Sequence, residues 1–149
     1  MSSDTKDKNK ISKNDPGSER AGSSLSITNK TKKNIPNINF KEIKEFVLGK
    51  EYDLSLVFVG NKTSRKLNST LRGKDRPTNI LSFPLSKTDG EIFMNPSAIE
   101  KENKKNGENY KKYFAYILIH GLTHLKGFDH GSKMEGEESR IMKKFLNTF

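Results

Sequence analysis

Apolar residues follow helical and strand-like spacings from about residue 24 onward. Phe40, Ile43, Phe46 and Val47 share one face of a predicted amphipathic helix. The run "SLSIT" (24–28) before it is typical of a short strand. The run "DLSLVFVG" (53–60) after it is apolar on both faces, which predicts a strand in the centre of a sheet.

The second half of the chain changes from hairpin-like to helical spacing. A helix carrying Leu67 and Leu71 precedes a strand that contains Pro84, whose missing N–H predicts a sheet edge or the end of pairing. The loop "SKTDG" and the strand "EIFMN" complete a predicted hairpin. After a short helix, the longest predicted helix covers 108–126, and Gly127 suits its C-terminal stop.

The predicted elements define a fold class. Ser132 and Glu135 resemble a capping box at the start of a final helix. The order βαβα, then ββ, then helices predicts an α/β (α+β) fold, with a small mixed sheet of about four strands and about five helices. The final helix carries an apolar stripe of Met134, Ile141, Met142 and Phe145.

Composition divides the chain into a tail and one domain. Of 149 residues, 31% are hydrophobic, and the formal net charge is +10. Segment 1–23 is rich in Ser, Lys, Asp and Asn, which predicts a disordered basic tail, either an RNA-binding arm or an inert extension. Residues 24–149 form the predicted domain. The basic charge favours a polyanionic partner, although a solvated basic surface explains it equally well.

The same composition excludes several classes of protein. The chain has no cysteine, which excludes a disulfide framework and a thiol nucleophile. Its longest apolar run, "FAYILI", is too short to span a bilayer, and the N-terminus lacks the apolar core of a secretory signal. We therefore expect a cytoplasmic protein without a membrane partner.

All three histidines of the chain lie in "HGLTHLKGFDH". His120 and His124 are spaced i,i+4, so both rings project from one helical face. Gly127 ends the helix and lets the chain turn back, so that His130 can reach the same ion. This is the spacing of the metzincin zinc peptidases. Three imidazole ligands leave one coordination position open, which indicates a catalytic zinc site with one ion per chain.

Gly121 argues against proteolysis. In the zinc peptidase pattern the first histidine is followed by a glutamate that acts as general base, and here that position is a glycine. Three neutral ligands also leave the full double charge on the metal, which suits an anionic phosphodiester. Asp129 is a candidate for orienting an imidazole N–H, for a general base, or for a simple turn cap.

Arg72 is the second candidate catalytic residue. It follows a predicted helix beside a glycine, and a guanidinium can hold a phosphate through two hydrogen bonds. The alternative is a surface arginine paired with Asp75.

Three motifs in order, "LRGKDRPTNILSFP", "GEIFMNP" and "HGLTHLKGFDH", resemble the YbeY family of metal-dependent, single-strand-specific endoribonucleases. The resemblance covers about residues 24–149. It implies an α/β fold, a zinc ion on His120, His124 and His130, and Arg72 in the active-site groove. It also implies single-stranded RNA and the ribosomal small subunit as partners, with a role in 16S rRNA 3′-end maturation and ribosome quality control, and no action on DNA. The alternatives are a ribosome-assembly binding factor with a structural zinc and a metzincin-like peptidase.

Overall fold

The computed structural model describes residues 18–20 and 24–149. This described part contains five strands, five α-helices and a terminal 3-10 turn, Leu146–Thr148. The strands are β1 (Ser18–Arg20), β2 (Leu25–Asn29), β3 (Asp53–Phe58), β4 (Ile80–Ser86) and β5 (Asp89–Met94). The helices are α1 (Phe40–Leu48), α2 (Asn61–Arg72), α3 (Pro96–Asn106), α4 (Tyr110–Leu125) and α5 (Ser132–Phe145).

The strands form one mixed sheet in the order β1-β2-β3-β5-β4. Strands β2, β3 and β5 are parallel, while β1 and β4 pair antiparallel at the two edges. The predicted central position of β3 is confirmed. Pro84 lies on edge strand β4, where the pairing with β5 becomes irregular before Ser86, so the predicted edge is confirmed too.

The predicted mixed sheet packed with helices is confirmed, with β1 as an additional strand. Residues 18–20 pair with β2 through the backbone, inside the segment 1–23 that the composition predicts to be a disordered tail. The remainder of that tail lies outside the described residues. In the described part of the chain, no helix is long and apolar enough to cross a membrane.

Helix α4 is the centre of the hydrophobic core. It contacts β4 and β5 on one side and α1, α3 and α5 on the others. This explains why its sequence is apolar on almost every face: a helix surrounded by other elements has little surface left for water. The fully buried side chains include Leu54, Leu56, Phe58, Ile92, Met94, Phe114, Leu118, Ile119 and Leu122.

Gly121 permits the close approach of α4 to β4. A Cβ at this position would collide with Cδ1 of Ile80 and lie 2.9 Å from Oγ of Ser82. The Ser82 hydroxyl donates a hydrogen bond to the carbonyl of Gly121 at 3.1 Å. The glycine therefore sets the distance between the histidine-bearing helix and the edge of the sheet.

Helix α2 buries a polar face, although Leu67 and Leu71 are spaced i,i+4 along it. Ser64 and Asn68 are buried, whereas Leu71 is 41% exposed. Ser64 exchanges hydrogen bonds with the backbone of Thr78 at 2.9 Å, and Asn68 donates to the carbonyl of Arg76 at 2.9 Å. These bonds fix the loop that connects α2 to β4.

The predicted capping box at the start of α5 is wrong. The N-cap is Gly131, which makes no side-chain hydrogen bond, and Ser132 is already the first helical residue. The backbone of Glu135 donates instead to the carbonyl of Gly131 at 3.0 Å. Gly131 has φ of 145°, a conformation that favours glycine, and so the turn geometry determines where the helix begins.

Candidate metal centre

The three histidines meet at one point. Helix α4 holds His120 and His124 one turn apart and ends at Leu125. Gly127 then adopts a positive φ of 107° and the chain reverses, as predicted. This brings His130 back to the helix, where one nitrogen from each ring lies within 4.8 Å of the others. The Nε2 atoms of His124 and His130 are 3.3 Å apart.

The hydrogen bonds of the outer ring nitrogens leave the inner nitrogens free to bind a metal ion. Nδ1 of His124 lies 3.1 Å from the carbonyl oxygen of Phe128, which can only accept a proton. Nδ1 of His120 lies 2.5 Å from a carboxylate oxygen of Glu138. Both Nδ1 atoms therefore donate, which leaves the Nε2 lone pairs facing inward. For a tetrahedral zinc at its usual bond length, two ligand nitrogens are about 3.3–3.4 Å apart, which is the spacing of the Nε2 atoms of His124 and His130.

The electrostatics around His124 favour its neutral form. Burial lowers the pKa of His124 below its usual value, and the adjacent His120 lowers it further. The hydrogen bond with Phe128 opposes these effects, while His130 and Arg72 add smaller contributions that lower the pKa. A neutral imidazole is the form that binds a metal, and so the surroundings favour a ligand over a cation.

Glu138 is a site residue that the sequence reasoning missed. It lies on α5, is only 5% exposed, and places one carboxylate oxygen on His120. Its other oxygen is 3.5 Å from the hydroxyl of Tyr116. A carboxylate behind a metal-binding histidine fixes the ring and strengthens the ligand. A signal was present in the sequence, because Glu138 interrupts the apolar stripe between Met134 and Ile141.

The histidines open into a cleft of about 320 Å³ that Arg72 also lines. Arg72 is the last residue of α2, and Gly73, with φ of 69°, ends the helix behind it. Asp75 accepts two hydrogen bonds from Arg65, at 2.7 and 3.1 Å. The alternative pair between Arg72 and Asp75 is therefore not formed. Among the described residues, the Arg72 guanidinium has no hydrogen-bond or ion-pair partner. Other residues that line the cleft include Asn79, Ile80, Ser82 and Tyr116.

Asp129 lies exposed on the loop between Gly127 and His130. Its carboxylate makes no contact with an imidazole among the described residues, and the orienting contact on His120 comes from Glu138. The structure thus places Arg72 in the cleft with the histidines, and places Asp129 on the adjoining loop.

A protein-family model described as Endoribonuclease YbeY matches residues 19–148. The chain belongs to the YbeY family. A protein named Endoribonuclease YbeY from Thermotoga maritima is 34% identical over 109 residues, which cover 70% of this chain and 71% of that protein. A protein of the same name from Chelativorans sp. (strain BNC1) is 32% identical over 100 residues, or 61% of either chain. The match thus spans less than two thirds of that relative.

A solved structure shares the fold of this chain. The solution structure of a Thermotoga maritima protein superposes with a TM-score of 0.61 and 26% identity, covering 83% of this chain and 93% of that one. The family resemblance carried by the three sequence motifs is confirmed.

Proposed function

We propose that the chain is a metal-dependent endoribonuclease that cleaves single-stranded RNA. One observation carries the proposal: three inward-facing imidazole nitrogens share an open cleft with an arginine that has no partner among the described residues. A cation site and a guanidinium facing the same space are suited to an anionic phosphodiester. The family name points to the same reaction.

In this proposal His120, His124 and His130 hold one zinc ion per chain. The bound ion supplies Lewis-acid chemistry, which stabilises negative charge on a phosphate oxygen and activates a nucleophile. Arg72 grips the phosphate with two hydrogen bonds and opposes the charge that grows in the transition state. Asp129, which precedes the third ligand in the sequence, serves as the general base for an attacking water molecule. The nucleophile is either water or the 2′-hydroxyl of the RNA.

We assign the 3′ end of 16S rRNA as the substrate and the ribosomal small subunit as the partner, with a role in late quality control in the cytoplasm. DNA is not an expected substrate. The net charge of +10 supports a nucleic-acid partner. Lys62, Lys66, Lys74 and Arg76 are exposed on α2, the helix that ends at Arg72, and on the loop that follows it. These cations suit the phosphates on either side of the cleavage position.

Proteolysis is the weakest alternative. The position of the peptidase general base is Gly121, and any side chain there would meet Ile80 and Ser82 of β4. A ribosome-assembly binding factor with a structural zinc remains the rival of a different class. A His124→Ala protein that restores rRNA processing in a deletion strain would favour that factor over the nuclease.

The test combines metal analysis with RNA cleavage. Purified protein is assayed for zinc and then incubated with a labelled single-stranded RNA, its duplex and the matching DNA. We expect cleavage of the single-stranded RNA only, and a loss of roughly 100-fold or more for Arg72→Ala. Lys41→Ala, which removes an exposed cation on α1 that does not line the cleft, serves as the control and should retain most activity. Zinc-loaded protein that leaves all RNA intact, or an Arg72→Ala protein with full activity, contradicts the proposal.

A further inference from the structure

We infer that Tyr116 is a stacking platform for a nucleobase beside the scissile phosphate. The inference rests on the proposed function, since it names the part of the RNA that this wall of the cleft binds. It assigns a substrate-binding role to a residue outside the histidine motif.

Tyr116 lies on α4, one turn before His120, and lines the cleft. Its residue exposure is 37%, although neighbouring Ile117 and Phe114 are 5% and 0% exposed. The ring centroids of Tyr116 and His120 are 6.4 Å apart, with 40° between the ring planes. Core packing therefore does not account for this aromatic ring, which faces the space next to the metal ligands.

Neighbouring side chains hold the Tyr116 ring in position. Tyr113 stacks on Tyr116, with ring centroids 6.3 Å apart and 30° between the planes. The hydroxyl of Tyr113 donates to Glu102 at 3.0 Å, and the same carboxylate oxygen accepts from the amide of Asn79 at 2.9 Å. Because Asn79 also lines the cleft, these contacts join two of its walls and fix the ring before substrate arrives.

The chemistry of single-stranded RNA fits this arrangement. Unstacked bases bind to aromatic side chains in a manner that tolerates different sequences. A base inside a duplex remains stacked on its neighbours and cannot lie on Tyr116 while its phosphate reaches Arg72 and the histidines. The exposed ring thus provides a physical reason for a preference for single strands.

A purely structural role is the competing explanation. The hydroxyl of Tyr116 is 3.5 Å from Glu138, so the ring could act by supporting the carboxylate behind His120. The two roles use different atoms: stacking needs the ring, whereas support of Glu138 needs the hydroxyl. Tyr116→Phe and Tyr116→Ala therefore distinguish them.

The experiment measures KM and kcat for zinc-loaded protein on a short single-stranded RNA with one mapped cleavage position. A matched set carries one abasic ribonucleotide at each flanking position in turn. Fluorescence anisotropy with metal-free protein gives the Kd for the RNA, so that the ratio of the variant Kd to the wild-type Kd is obtained independently of catalysis. Phe46→Ala is the control, because Phe46 is 36% exposed and lies outside the cleft lining.

We expect Tyr116→Ala to raise KM roughly ten-fold with little change in kcat, and Tyr116→Phe to resemble the wild type. An abasic ribonucleotide at one of the flanking positions should raise the wild-type KM by a similar factor. The same substitution should not raise the KM of Tyr116→Ala any further. The ratios of Kd measured with metal-free protein should agree with these ratios of KM. If Tyr116→Phe loses as much as Tyr116→Ala, or if the abasic losses add to Tyr116→Ala, the inference is overturned. If the wild type cleaves no RNA, the proposed function fails, while metal-free binding still tests the platform.

Discussion

A carboxylate oxygen of Glu138 lies 2.5 Å from Nδ1 of His120, in a part of the molecule where the glutamate side chain is only 7% exposed. The contact joins α5 to α4 and turns the opposite nitrogen of the ring toward the other two histidines. A buried carboxylate is costly unless it is paired, and so this position indicates a specific purpose. In the proposed metal site, Glu138 orients His120 as a ligand.

Glu138→Gln is expected to weaken zinc binding roughly 10–100-fold, because it removes the negative charge behind His120. The affinity can be measured on metal-free protein by competition with a chromophoric chelator, without reference to RNA cleavage. Glu135→Gln is the matched control, since Glu135 is an exposed residue on the same helix. Equal zinc affinity for Glu138→Gln and the wild type would show that Glu138 does not position the ligand.

Zinc is expected to stabilise the folded chain, since the three ligands join the end of α4 to the loop that follows it. At a free zinc concentration of 100 times Kd, the gain in unfolding free energy is about 2.7 kcal/mol. Differential scanning calorimetry with and without zinc, followed by a chelator, measures this gain. His130 is exposed, so His130→Ala should leave the stability of metal-free protein almost unchanged and reduce the gain from zinc. If zinc raises the unfolding free energy of His130→Ala as much as that of the wild type, His130 is not a ligand.

Gly121→Ala is expected to destabilise the protein by about 1–3 kcal/mol, because the added methyl group overlaps Ile80 and forces α4 away from β4. Gly136→Ala is the matched control: it lies within α5, and a Cβ there meets nothing within 4 Å. That change should stabilise the helix by roughly 0.5–1 kcal/mol. Urea denaturation measures the free energy of unfolding of both variants. Similar changes in this free energy for the two variants would mean that the contact of α4 with β4 can relax without cost.

Local spacing predicted those features whose causes are local. Two histidines one turn apart, a glycine that ends the helix and an apolar run for β3 each follow from neighbouring residues, and the structure brings the three histidines together accordingly. The edge position of β4 followed from Pro84 for the same reason.

Features that depend on partners distant in the sequence were not predicted. Glu138 contacts a ring 18 residues away, and no local spacing specifies that contact. Arg65 rather than Arg72 pairs with Asp75, because the turn after α2 brings a residue ten positions away into reach. The inward face of α2 is polar because Ser64 bonds the backbone of a loop, which a count of apolar residues cannot reveal.

Glu137 of α5 forms hydrogen bonds that join α5 to the end of α4, where the loop that carries His130 begins. Its carboxylate accepts two hydrogen bonds from Arg140, at 3.1 and 2.8 Å, and one from Lys126 at 2.8 Å. These two cations, Arg140 first, lower the pKa of Glu137 from 4.5 to about 2. Because the folded-state pKa is depressed, the stabilisation is complete above the ordinary pKa and is lost as the pH falls toward 2.

We therefore expect Glu137→Gln to lower the free energy of unfolding by about 1–2 kcal/mol at pH 6, after allowance for solvent screening of the partly exposed cations. The difference from the wild type should shrink between about pH 5 and pH 2 and vanish at the acid end, because protonated glutamate then resembles glutamine. Urea denaturation at several pH values measures this, with exposed Glu51→Gln as the control. A difference that stays constant across this range would show that Glu137 stabilises the fold through packing rather than through its charge.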